Sequence, residues 1–171
     1  MAVTVQDFSV QVKARLNQLT INALTESGFE VAAHANSNVQ LEDDAGQKLR
    51  GSYRSEVDAS VGKATVGTSL EEGFWEEFGT GSHADTAKNG GIPGRPMWWV
   101  YVTNETPRTD NPVYRTEEEA KAVAASWRAE GKDAHATNGR EPNYTLEKAF
   151  IAKKGAIVRN FERTLESGLG R

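Results

Sequence analysis

Lys63-Ala64-Thr65-Val66-Gly67-Thr68-Ser69-Leu70-Glu71-Glu72-Gly73-Phe74-Trp75-Glu76-Glu77-Phe78-Gly79-Thr80-Gly81 is the stretch around which the chain is organised; it continues through a glycine- and proline-rich loop to Gly94-Arg95-Pro96-Met97. Val66-Gly67-Thr68 closes a β-rich segment. Leu70, Phe74 and Phe78 recur every four residues, so they share one face of a short helix. Gly79-Thr80-Gly81 stops that helix, because glycine takes positive φ without steric cost. Gly90, Gly91, Pro93, Gly94 and Pro96 cannot prolong a helix and predict an exposed loop from Ala84 to Gly94.

Immediately upstream, Leu49, Gly51, Tyr53, Ser55, Val57, Ala59 and Val61 alternate with Arg50, Ser52, Arg54, Glu56, Asp58 and Ser60. Strict period two predicts a strand over Leu49–Val61 with one face covered. Gly62-Lys63 turns it, and Ala64–Thr68 returns as a shorter partner. Two strands alone are marginal, so helices must cover them. Gln40 to Gln47 reads as an acidic loop. Its carboxylates lack the alternating spacing of a calcium loop, so no metal is expected there.

Two helices are the candidates for the cover. Thr4 and Asp7 form a capping-box-like pair, after which Phe8, Val12, Leu16, Leu19, Ala23, Val31 and Ala35 make an apolar stripe. Ser27-Gly28 predicts a kink or brief break, and Asn36-Ser37-Asn38 the end. The stripe serves either the chain's own sheet or a neighbouring subunit. At the other end, a helix begins at Leu146 with Asn143 or Thr145 near its cap, and ends at Gly168. Leu146, Phe150, Ile157 and Phe161 form one apolar line on it; Ile151, Val158 and Leu165 form a second. So wide a face suits a helix packed on a sheet or shared between two surfaces.

Trp98-Trp99-Val100-Tyr101-Val102 is the most β-prone run. Adjacent tryptophans in a strand point to opposite faces, so one enters the core and the other meets either a partner chain or the following segment. Val113-Tyr114-Arg115 is extended. Thr116 with Glu119 is a capping box for a helix ending at Gly131, and Asp133–Thr137 is a strand closed by the tight-turn pair Asn138-Gly139. The fold class is α+β: a small antiparallel sheet covered by long amino- and carboxy-terminal helices. Residues 1–99 and 144–171 form its core domain, and 100–143 a strand–helix–strand insertion.

The chain has 171 residues, enough for one domain, and 37% apolar against 26% charged residues is ordinary for a globular protein. The absence of cysteine excludes disulfides and thiolate chemistry. No run approaches the roughly 20 apolar residues of a membrane span, and the first residues lack the basic start and apolar core of a signal peptide. A net charge of −4 argues against a general nucleic-acid binder. Charge is uneven: Gln40–Thr80 holds nine acidic and four basic residues, Leu146–Arg171 six basic and three acidic.

Val66-Gly67-Thr68, then an aromatic followed by Glu77-Phe78-Gly79-Thr80-Gly81, then a loop to Arg95-Pro96 and bulky residues, resembles the tail-completion proteins of long-tailed bacteriophages. These head–tail joining, or neck, proteins are also described as minor capsid or minor tail proteins. The order of the long first helix, a Gly46–Ser52 segment with Leu49-Arg50, two strands and a last helix is similar too. The resemblance covers about residues 5–99 and 145–165, and residues 100–143 depart from it. It implies a structural virion protein located in the neck, assembled in the host cytoplasm. It further implies a homo-oligomeric ring, a hexamer because the tail is sixfold. Its partners would be a head-completion or connector protein and a tail terminator or tail tube protein. Genomic DNA would pass through the lumen without sequence-specific binding.

Phe74, Trp75, Phe78, Trp98, Trp99 and Tyr101 are the candidate anchors of such interfaces, because aromatic residues dominate interface energetics. Glu77 is the candidate partner of an arginine. No catalytic, cofactor-binding or metal-ligating constellation is legible. His34, His83 and His135 have no ligand spacing, and no nucleophile elbow or phosphate loop occurs. Gly79-Thr80-Gly81-Ser82-His83-Ala84 follows a helix and opens a loop, the reverse of a dinucleotide-binding turn. The rival readings are a non-viral cytoplasmic binding module with its ligand or partner site on the insertion, and a small hydrolase built on His83.

Overall fold

The computed structural model describes residues 7–40, 44–91, 97–103 and 112–170. In chain order the elements are α1 (Ser9–Asn38), α2 (Asp44–Leu49), β1 (Arg54–Asp58), β2 (Lys63–Gly67), α3 (Glu71–Phe78) and β3 (Thr80–Gly81). They continue with β4 (Trp98–Val102), β5 (Val113–Tyr114), α4 (Glu117–Ala129), β6 (Ala134–Thr137), β7 (Gly139–Arg140) and α5 (Thr145–Leu169). The fold is α+β, with small antiparallel sheets. The chain divides into two compact units, Met1–Gly73 with Thr145–Arg171, and Phe74–Tyr144. Residues 100–143, read from the sequence as an insertion, lie within the second unit, whose three-stranded sheet has β4 at its centre.

In the first unit, α1 and α5 run antiparallel. Gly168 lies against Leu19, Asn160 bonds Ala23 and Ser27, and Lys153 pairs with Glu30. Small buried residues, Ala23, Ala35 and Ala149, let helices approach closely. Gly168 therefore packs rather than terminates: a Cβ there would strike the Leu19 side chain, and α5 runs on to Leu169 before Gly170 takes φ 78°. Val31, Ala35, Val39, Leu49, Tyr53 and Ala149 form the core, with Val66, Leu70, Leu146 and Ile157 around it.

Three expectations on this unit are corrected. The helix does not break at Ser27-Gly28; α1 is continuous from Ser9 to Asn38, and Gly28 is needed because a Cβ would collide with Ser55 of β1. Only the later part of the stripe is covered: Leu19, Ala23, Val31 and Ala35 are buried, whereas Phe8 and Val12 are exposed. The strand expected from Leu49 starts at Arg54. Asp44–Leu49 is a helix, and the apparent alternation before Arg54 comes from the end of that helix and a turn with Gly51 at φ 89°. Asn36 secures this turn. Its Oδ1 accepts from the backbone of Gly51 at 2.8 Å and Tyr53 at 3.1 Å, and its Nδ2 donates to the Tyr53 carbonyl at 3.1 Å. Within β1 the phase is as expected, Ser55 and Val57 facing inward, and β1 pairs with β2 from Arg54↔Gly67 to Asp58↔Lys63. Of the first capping pair, Thr4 lies outside the described residues; Asp7 accepts from the Ser9 N–H at 2.8 Å.

In the second unit, β4 lies between β5 and β6, antiparallel to both, and α4 covers one face. Val100, Val102, Ala120, Ala124 and Ala134 make its core, edged by Trp98, Tyr114, Val123 and Trp127. Thr116 caps α4 by accepting from Glu119 N–H at 3.2 Å, and Glu119 reaches back to Arg115 N–H at 3.2 Å. Asn138-Gly139 makes no hairpin turn. The chain passes from β6 straight into β7, which pairs with β3 through Thr80↔Arg140 and Gly81↔Gly139. Gly139 takes φ 125°, and a Cβ there would collide with the Thr80 carbonyl.

Candidate protein–protein interface

The motif that carries the family resemblance is, in the folded chain, largely an internal clamp. The last turn of α3 presents Glu76 inward, 1% exposed. Its Oε1 accepts from Asn143 Nδ2 at 2.8 Å and its Oε2 faces Arg140 Nη2 at 3.2 Å. The backbone repeats the link: Asn143 N–H donates to the Glu76 carbonyl at 2.9 Å, and Tyr144 N–H to that of Glu77 at 3.2 Å. Gly79 and Gly81 make this possible. Both have positive φ, and a Cβ on either would meet the backbone of residues 138–142. Glu76 is thus the side chain that meets Arg140 of β7.

Glu77 is itself buried, so neither carboxylate adds to an exposed acidic surface. Phe74 and Phe78 are half-buried, their rings 5.0 Å apart and tilted by 58°. Trp75 is also half-buried. Trp98 edges the core beneath α4. Trp99 and Tyr101 alternate with Val100 and Val102 and therefore point to the other face of the sheet, where Tyr101 stacks on His135 at 5.3 Å. All six aromatic candidates keep part of their surface accessible, and none ranks among the exposed large apolar residues.

Polar side chains fasten the surrounding turns. His83 Nδ1 lies 2.6 Å from Glu141 Oε1, and its Nε2 lies 3.3 Å from Asn138 Oδ1. Tyr144, strained at φ 52°, donates its hydroxyl to Asp85 Oδ2 at 2.8 Å, and Lys88 Nζ sits 4.5 Å from its ring centre. That hydroxyl bond is the main reason the Asp85 carboxyl titrates below its ordinary value. Asp133 is lowered likewise, chiefly by the Thr103 hydroxyl and then by His135, whose Nε2 is 2.8 Å away. Among the described residues no three His, Asp or Glu side chains gather as metal ligands.

The exposed large apolar side chains concentrate on the helices of the first unit. Phe8, Val10, Val12 and Phe29 stand out from α1 and its cap, and Phe150, Ile151, Val158 and Leu169 from α5. Beside them, an open apolar groove of ≈ 330 Å³ is lined by Leu24, Val31, Val66, Leu146, Ile157 and Phe161, among others. The two apolar lines of α5 were the sequence signal here: Leu146, Phe150, Ile157 and Phe161 for the groove, Ile151 and Val158 for the exposed side chains. Phe29 had none, since it sits off the periodic stripe. No helix among the described residues is long and apolar enough to cross a membrane. Comparison with protein-family models, curated proteins and solved structures gave no match.

Proposed function

We propose that this chain is a structural virion subunit of the tail-completion type. Copies of it would form an oligomeric ring, sixfold like the tail, joining head-completion proteins to the tail tube. The observation that carries the reading is the outward-facing apolar set on two long helices, Val10, Val12 and Phe29 on α1 and Phe150, Ile151 and Val158 on α5. Exposed large apolar area tends to mark protein contacts. The resemblance of the Glu77–Gly81 motif and its neighbours supplies the kind of assembly. Its role on this reading is association, not catalysis. Head-to-tail contacts close a ring when the rotation between neighbours closes. The partners would be a connector protein on one side and a tail terminator or tail tube protein on the other, with DNA passing through unread.

Deletion of the gene from its phage is the direct test. Unjoined heads and tails, or malformed tails, are expected. Normal infectious particles, or a particle map lacking this chain at the head–tail junction, would overturn the reading.

A further inference from the structure

We propose that the outer face of α5 is a self-docking surface, pairing antiparallel with α5 of a second copy about a two-fold axis at Val158. Ile151, Val158 and Leu165 are spaced by seven, so they line one side of the helix for about 21 Å. Ile151 is 64% and Val158 52% exposed, while Leu165 is half-buried. The edge of α5 nearer α1 is occupied within the unit, with Lys153 on Glu30 and Arg163 on Glu26.

The chemistry of this face is self-complementary about Val158. Ile151 and Leu165 lie seven residues on either side. Lys154 and Glu162, both exposed, lie four residues on either side, each about 40° off the centre line. An antiparallel copy therefore sets Ile151 on the Leu165 of its mate, Val158 on Val158, and Lys154 level with the opposing Glu162, twice by symmetry. Parallel pairing would set Lys154 against Lys154 and Glu162 against Glu162, which repel. Gly155, exposed between Ile151 and Val158, has no side chain to hold the helices apart.

Such a contact is isologous and closes at two copies. It draws on Ile151 and Val158, which also belong to the apolar set behind the ring reading, but its two-fold contact differs from the head-to-tail contacts a ring needs and adds a dimeric state of the free protein or a pairing of two rings.

The test uses the full chain, which has no native cysteine. Val158→Cys should oxidise to a disulfide-linked dimer, because residue 158 meets its own counterpart on the axis. Ala152→Cys, exposed on the same helix but off the stripe, should stay unlinked. By light scattering, K154E should weaken association roughly tenfold, and K154E/E162K should restore it to within about twofold. A monomer mass at every attainable concentration overturns the proposal. So does equal linking at positions 152 and 158, a double variant no better than K154E, or a larger assembly in which V158C never links.

Discussion

Glu76 and Arg140 meet at 3.2 Å; the carboxylate side chain is wholly shut from solvent, while the Arg140 side chain keeps a third of its surface exposed. Removing Arg140 leaves a buried carboxylate held by Asn143. Loss of one partner from a buried pair costs 3–5 kcal/mol, and the solvent around Arg140 lowers this, so Arg140→Ala is expected to cost about 2–3 kcal/mol. Glu76→Gln removes the buried charge with the pair and should cost less, about 1 kcal/mol. Denaturant midpoints of the two variants check the order; a more damaging Glu76→Gln contradicts it.

Gly81 and Gly131 separate backbone strain from collision. Both have positive φ, 62° and 86°. A Cβ on Gly81 would strike the Asn138 carbonyl, whereas one on Gly131 meets nothing within 4 Å. Gly131→Ala should cost about 1 kcal/mol of left-handed strain. Gly81→Ala should cost more than about 2 kcal/mol, since β3 and β7 must part. Thermal melts of both would show equal shifts if the β3–β7 approach were unimportant.

The Tyr144 hydroxyl makes stability depend on pH in a definite direction. Because it lowers the Asp85 carboxyl below its ordinary value of 3.8, its contribution is present above that value. It is lost as pH falls through the lower folded value. Tyr144→Phe should therefore be less stable than the parent at pH 7, and the gap should narrow as pH drops below about 4. A gap unchanged across that range would mean that the hydroxyl acts by packing alone.

Asn160 is buried in the α1–α5 seam. Its Nδ2 donates to the Ala23 carbonyl at 3.2 Å and Ser27 Oγ at 3.0 Å, and its Oδ1 accepts from Arg163 Nη2 at 2.9 Å. Arg163 also reaches Glu26 at 2.6 Å. Asn160→Ala strips partners from buried groups and should cost about 2–3 kcal/mol. Arg163→Ala, at an exposed pair, should cost less than about 1 kcal/mol. Paired denaturation curves decide whether the seam is held by the amide or by the ion pair.

Several elements were legible from local pattern. Thr116 with Glu119 placed α4 correctly because a capping box is completed within four residues. The Ser55–Val57 alternation gave the phase of β1 because a half-covered strand repeats every two residues. The same reasoning failed at Leu49–Tyr53. A helix end followed by a turn also puts apolar residues at alternate positions there, and the discriminating contact, from Asn36, is distant in sequence. Gly28 and Gly168 read as breaks for the same reason: a glycine used for close approach looks like a glycine that ends a helix.

The sequence by itself determined the α+β class, the long helices at either end, the capping box of α4 and the presence of a second apolar line on α5. Only the tertiary structure decided that Glu76 meets Arg140, that β4 belongs with the residues following it, and which apolar side chains stay uncovered. Periodicity reports which residues share a face of an element. It carries no record of what that face meets, because the neighbour comes from elsewhere in the chain and is chosen by packing.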